Sequence, residues 1–165
     1  MEKDKLQQKA NQLRADVLKM VTNANSGHPG GALGMADTWA VLHYEYLKDR
    51  PDEPNWEGRD RFVLSNGHTC PLLYAVLADK GYYPKEEMDK FRKLGASLQG
   101  HPSVAKGTPG VEFSSGSLGH GLSFSSGVAL AGRLSGQDHK TYCSISDAEC
   151  QEGQTWEAAA VARDK

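Results

Sequence analysis

Thr141-Tyr142-Cys143-Ser144-Ile145-Ser146-Asp147-Ala148-Glu149-Cys150-Gln151-Glu152-Gly153-Gln154-Thr155-Trp156-Glu157 changes character along its length. Residues 141–145 have the pattern of a short apolar strand, and residues from about Gln151 to Arg163 have that of a helix. Between them small and acidic residues alternate in the turn Ser146-Asp147-Ala148-Glu149. An acid at the carboxyl end of a buried strand, just before a helix, is where α/β proteins hold phosphates and their metal ions. The helix amides face the phosphate, and the carboxylate holds the cation that neutralises it. Taken alone, the stretch has a simpler reading. Asp is a favoured N-cap, so Asp147 would cap the helix that follows.

The second strand is Arg61-Phe62-Val63-Leu64-Ser65, ended by Asn66-Gly67-His68-Thr69 and followed by a helix from Pro71 to Lys80 with proline in its first turn. Strand–helix followed by strand–helix predicts an α/β fold with a parallel sheet flanked by helices. Two strands leave the edges of such a sheet uncovered, so more chain or a partner is implied. Lys5 to Thr22 is an amphipathic helix, with Leu6, Leu13, Val17, Met20 and Val21 near helical spacing. Further helices are expected from about Leu33 to Leu47 and from Pro84 to Leu94. Leu118 to Leu134 reads as a helix made largely of Gly, Ala and Ser. Each Gly in a helix costs roughly 1 kcal/mol relative to Ala, so another backbone or a ligand is expected to come close there. Gly95 to Gly116 lacks a regular pattern but holds Gly100-His101-Pro102 and Gly107-Thr108-Pro109-Gly110. A long loop of this kind in a compact domain is functional or disordered, and its composition favours function.

The 165 residues suffice for one domain with a real core, and 38% hydrophobic with 24% charged residues is ordinary for a globular chain. A net charge of −2 argues against nucleic acid or a membrane surface as the main partner. No apolar run approaches the roughly 20 residues of a membrane span. The opening Met1-Glu2-Lys3-Asp4-Lys5 has no secretory pattern. Cys70, Cys143 and Cys150 have no Cys-x-x-Cys spacing, so a cytoplasmic location is expected, without a disulfide framework or zinc site.

Of the 6 histidines, those at 28, 68, 101 and 120 directly follow a glycine. All lie at loops or element ends, where binding residues concentrate. The glycine allows a tight turn while the imidazole points into a cleft. Such imidazoles suit hydrogen bonds to the hydroxyls and phosphates of a sugar phosphate, with proton transfer near neutral pH. His43, inside a helix, and His139, in a charged turn, read as ordinary structural histidines. No pair of histidines shares a helix face at metal-ligand spacing, and an isolated acid such as Asp147 suits a hard cation such as Mg²⁺. Neither a P-loop nor a dinucleotide fingerprint is present.

Ser26-Gly27-His28-Pro29-Gly30-Gly31, Arg59-Asp60-Arg61-Phe62-Val63-Leu64-Ser65-Asn66-Gly67-His68, Leu98-Gln99-Gly100-His101-Pro102, Gly116-Ser117-Leu118-Gly119-His120-Gly121-Leu122 and Asp147 to Glu157 occur in this order. Together they closely resemble the amino-terminal, thiamine diphosphate-binding half of transketolases, or the separate amino-terminal subunit of split ones. The resemblance implies an enzyme that uses thiamine diphosphate and Mg²⁺ to move a two-carbon ketol unit from a ketose to an aldose phosphate. It assigns Asp147 to the metal, His68 to the cofactor diphosphate, and Gly116, Ser117 and Leu118 to a loop touching the cofactor. It assigns His28 and His101 to the sugars. Glu152 and Glu157 match glutamates that join two active sites across a homodimer or partner-subunit interface. A deoxyxylulose-phosphate synthase, a dehydrogenase E1 component and a non-catalytic relative acting through its interface are the alternatives.

The resemblance departs at the family's Gly-Asp-Gly, which is Ser146-Asp147-Ala148 here. Ala148 is expected to put a methyl group where backbone meets the diphosphate, and to penalise positive φ. The family's second metal ligand, an asparagine on the following strand, would lie beyond Lys165. Residues 1–165 are thus expected to form one partial diphosphate-binding domain, without the pyrimidine-binding and carboxy-terminal domains.

Overall fold

The computed structural model describes residues 1–164, and side chains through Arg163. The helices are α1 (Lys3–Ala24), α2 (Pro29–Gly34), α3 (Ala36–Val41), α4 (Cys70–Lys80), α5 (His120–Leu134) and α6 (Gly153–Asp164). Strands β1 (Arg61–Leu64) and β2 (Thr141–Ser144) pair in parallel, with Arg61 opposite Thr141 and Leu64 opposite Ser144. The α/β class with a helix-flanked parallel sheet is as the strand–helix order implies. No helix among the described residues is long and apolar enough to cross a membrane.

The core forms where the apolar periodicities meet. α1 buries Ala10, Leu13, Val17 and Met20 at alternating three- and four-residue spacing. α4 is apolar all round, and every residue from Cys70 to Ala78 is buried. Pro71 sits in its first turn, and Gly81 ends it at φ +91°. Trp39 on α3 meets Phe62 on β1 edge-on at 4.8 Å between centroids, which ties the helical layer to the sheet.

Several boundaries differ from the sequence reading. The expected helix 33–47 starts earlier, at Pro29, whose fixed φ suits the first helical position. It breaks at Met35 after Gly34 and ends in a π-helical turn, Leu42–Tyr46. The expected helix 84–94 is a 3-10 helix over Lys85–Lys90 only. Phe91 leaves it with a non-helical ψ of 127° and is buried against Tyr74 at 6.0 Å, and Arg92 follows at φ +58°. Burial of an aromatic ring outweighs one more helical turn. α5 begins at His120 rather than Leu118, because Gly119 stands at φ +85°. α6 begins at Gly153, after a 3-10 turn over Ala148–Gln151. The small residues of α5 do admit close neighbours: a Cβ on Gly121 would lie 2.3 Å from that of Ser65.

Candidate functional site

Because β1 and β2 are parallel and in register, Asn66-Gly67-His68 and Ser146-Asp147-Ala148 leave from adjacent carboxyl ends. That is where open α/β sheets bind ligands. Asn66 is buried, accepts a hydrogen bond from Ser144 Oγ at 3.2 Å, and so joins the two strand ends. His68 then rides on a 3-10 turn, Gly67–Thr69.

Three of the Gly-His pairs converge here. The ring of His28, at the amino end of α2, lies 5.6 Å from that of His68 and 6.2 Å from that of His101. Gly116 backs onto His101, whose ring would be 3.5 Å from a Cβ placed there. The backbone at Ser115–Gly116 also lies so close to Gly67 that a Cβ on Gly67 would come within 2.4 Å of Ser115 Oγ. Partial burial, then the neighbouring His28, Arg92 and His68, lower the pKa of His101. Its neutral imidazole is thereby favoured, able to donate one hydrogen bond and accept another. A cleft of about 710 Å³ opens beside it, bounded by His101, Phe113, Ser115, Gly116, Ser117 and His120. Its wall includes Phe124, stacked on Phe113 at 4.7 Å.

His120, the fourth Gly-His residue, therefore shares this cleft. His43 does not: it is buried among Trp39 and Phe62. Burial, then the charge of Lys80, lower its pKa to about 3, so it is a neutral core residue. His139 packs against Gly132, away from the cleft.

At the acidic turn the structure corrects the simple reading. Asp147 makes no side-chain capping hydrogen bond and is exposed. Its carboxylate is free for another use. Ala148 is exposed too, and it is not among the residues at positive φ. The expected backbone penalty at this position is therefore absent, and only the methyl group distinguishes it from glycine. Glu152 and Glu157 are exposed. Glu152 lies beside the loop that leads into α5, its Cβ 2.9 Å from a Cβ placed on Gly119, while Glu157 lies on α6.

Sequence reasoning passed over Glu149, which is fully buried. It accepts hydrogen bonds from Ser65 Oγ, from the Gly119 N–H at 2.8 Å and from the Ser146 N–H at 2.8 Å. A signal was present. Ser146-x-x-Glu149 is the spacing of a capping box, in which the glutamate reaches back to the first residue's N–H.

A thiamine diphosphate–Mg²⁺ pair can be tested against these residues. Mg²⁺ is commonly held by one or two carboxylates together with phosphate oxygens and water. An exposed, uncapped Asp147 suits that role. Among the described residues no group of three or more His, Cys, Asp or Glu side chains could hold a metal alone, so phosphate oxygens would have to complete the shell. Among the described residues Ser115 Oγ, on the cleft wall, is buried without a hydrogen-bond partner, and His68 is half-buried. Polar groups on this side are left over for a ligand, and the residues fit the group.

The fold and cleft define a thiamine diphosphate-binding type of α/β domain, with its ligand side at the carboxyl ends of the strands. Residues 5–165 match the family model described as transketolase, thiamine diphosphate binding domain. The chain is 44% identical over 164 residues to Transketolase 2 of Escherichia coli (strain K12), covering 93% of this chain and 24% of that protein. It is 41% identical over 157 residues to the 6-deoxy-6-sulfo-D-fructose transketolase subunit SqwG of Clostridium sp. (strain MSTE9), covering 95% of this chain and 57% of that subunit. The crystal structure of transketolase from Campylobacter jejuni subsp. jejuni NCTC 11168 superposes with a TM-score of 0.91 at 41% identity, over 98% of this chain and 26% of that one. The chain belongs to the transketolase family and corresponds to its amino-terminal, thiamine diphosphate-binding domain. It spans about a quarter of the length of the E. coli enzyme and just over half of the Clostridium subunit.

Proposed function

We propose that this chain supplies the diphosphate and metal side of a transketolase site, which moves a two-carbon ketol unit between sugar phosphates with thiamine diphosphate and Mg²⁺. The observation that carries the reading is the convergence of His28, His68 and His101 with Gly116, beside the strand ends that present Asp147. When bound, thiamine diphosphate supplies the carbanion chemistry. The protein supplies placement. Asp147 holds the metal, and His68 meets the diphosphate. Gly116, Ser117, Leu118 and Ala148 would supply the backbone that borders the cofactor. His28 and His101 hydrogen-bond to the hydroxyls of donor and acceptor sugars. The neutral form of His101 lets it serve as donor or acceptor, and as a proton acceptor near neutral pH.

The pyrimidine side of the cofactor would come from another domain or from a partner carboxy-terminal subunit. The relationship to a protein described as a transketolase subunit supports such a division. Glu152 and Glu157 would face that partner or a second copy of the chain.

The test is ketol transfer by the complete enzyme, with its partner supplied, from a ketose phosphate to an aldose phosphate. His28→Ala and His101→Ala are each expected to lower kcat/KM by roughly 10²–10³, the scale of losing an oriented hydrogen bond to a reacting substrate. Unchanged kcat/KM in both variants would remove the sugar assignment.

A further inference from the structure

Glu149 is a carboxylate with no exposure to solvent. Burying one is costly unless its oxygens are hydrogen-bonded. Here both oxygens are used. Oε1 accepts from Ser65 Oγ and from the Gly119 N–H at 2.8 Å. Oε2 accepts from the Ser146 N–H at 2.8 Å and from Ser146 Oγ at 3.4 Å. The connection extends further, because Ser65 Oγ accepts from the Gly121 N–H at 3.0 Å. The main chain of Glu149 is fixed as well, its carbonyl accepting from Thr155 Oγ1 at 2.7 Å on α6.

The three attachment points belong to three different segments. Ser65 directly follows β1 and leads to the turn of His68. Gly119 follows directly on Gly116-Ser117-Leu118. Ser146 directly precedes Asp147. The segments are far apart in sequence, with Ser65 separated from Glu149 by 84 positions and Gly119 by 30. The Ser65–Thr69 turn is itself largely buried, but burial does little to fix the other two segments against it, since Gly116, Ser117, Asp147 and Ala148 are all exposed.

We propose that Glu149 is a positioning residue that sets the mutual placement of the His68 turn, the Gly116–Leu118 loop and the Asp147 turn by joining all three to one buried carboxylate. It does not touch the cofactor itself. This inference rests on the functional reading above only for its effect on cofactor binding; the tethering can be tested without any ligand.

Glu149→Gln preserves the side-chain volume and one carbonyl acceptor. It replaces the other oxygen by an NH₂ group, which cannot accept from the Ser146 N–H. One tether is therefore broken while the others can persist. In the full-length protein, amide hydrogen exchange without ligand should speed up at Ser146 or Gly119 in this variant, and stay unchanged in β1. Calorimetry with thiamine diphosphate and Mg²⁺, partner present, should show affinity falling 10- to 100-fold, the range for groups that orient metal ligands. Ser65→Ala is the second variant, should Glu149→Gln not fold. It removes the link to β1 and the acceptor for Gly121, and should accelerate exchange at Gly121 and lower affinity in the same direction.

A merely structural role would lower melting temperature and leave both the affinity of the folded protein and these amides unchanged. That result would overturn the proposal. If the unmodified protein fails to bind the cofactor, the functional reading falls, and the amide exchange alone decides the role of Glu149. Exchange at Ser146, Gly119 and Gly121 as slow in both variants as in the parent would then refute it.

Discussion

A Gly-His pair stands shortly before α4 and at the start of α5, yet the two helices are held in place by different physics. In α4 every residue from Cys70 to Ala78 is buried, so its position is fixed by apolar side chains on all sides. In α5 the buried residues are Gly121, Ser125 and Gly132, while Leu130 and Leu134 remain 38% and 81% exposed. Its start is placed by close backbone approach and polar tethers: Gly121 against Ser65, and the Gly119 N–H on Glu149. One helix is a core element. The other carries a loop into the cleft, and small residues with hydrogen bonds position it where large side chains would fill the space.

The contrast predicts opposite sensitivities. Leu72, fully buried in α4, should be the costlier truncation: Leu72→Ala should destabilise by about 2–5 kcal/mol through lost burial and a residual cavity. Leu134→Ala in α5 should stay within about 0.5 kcal/mol. Equal costs in denaturant titrations would break the comparison. Adding a single methyl group sharpens it within α5. Gly121→Ala would place a Cβ 2.3 Å from that of Ser65, and should cost about 1–3 kcal/mol and weaken cofactor binding. Gly127→Ala has open space at its Cβ, and should stabilise by roughly 0.5–1 kcal/mol through helix propensity. Thermal melts of the two alanine variants would check the sign.

Smallest of all should be Ala148→Gly. It relieves no positive φ, so calorimetry should show cofactor affinity changing by less than about threefold.

The parts of this molecule that follow local rules could be read from residues alone. The spacing of Leu13, Val17 and Met20 identifies α1, Pro71 and Gly81 bracket α4, and the apolar runs at 61–65 and 141–145 are the two strands. His68 and Asp147 share one end of the sheet for a topological reason: parallel strands gather their following loops at one end. His28, between α1 and α2, and His101, in the long loop, are brought to His68 by the packing of segments that follow no strand.

What escaped sequence reading depends on long-range partners. Phe91 ends its helix early because Tyr74 and the core take its ring. Asp147 has the composition of a cap, yet its side chain makes no capping hydrogen bond, and it is Glu149 that turns inward and accepts from the Ser146 N–H. The burial of Glu149 depends on Ser65 and Gly119, which no window around residue 149 contains. Local propensity describes a turn; it does not say which of two neighbouring acids faces inward.

That division between Asp147, exposed, and Glu149, buried, is where the account is most directly testable. The measurement is calorimetric binding of thiamine diphosphate, with and without Mg²⁺, to the complete enzyme carrying Asp147→Ala. The account predicts Mg²⁺-dependent binding by the parent and a loss of at least about 100-fold in the variant, more than a group that only orients a metal ligand would cost. It also predicts an unchanged melting temperature without cofactor, because Asp147 caps nothing. Mg²⁺-dependent binding that survives Asp147→Ala at parental affinity would contradict it.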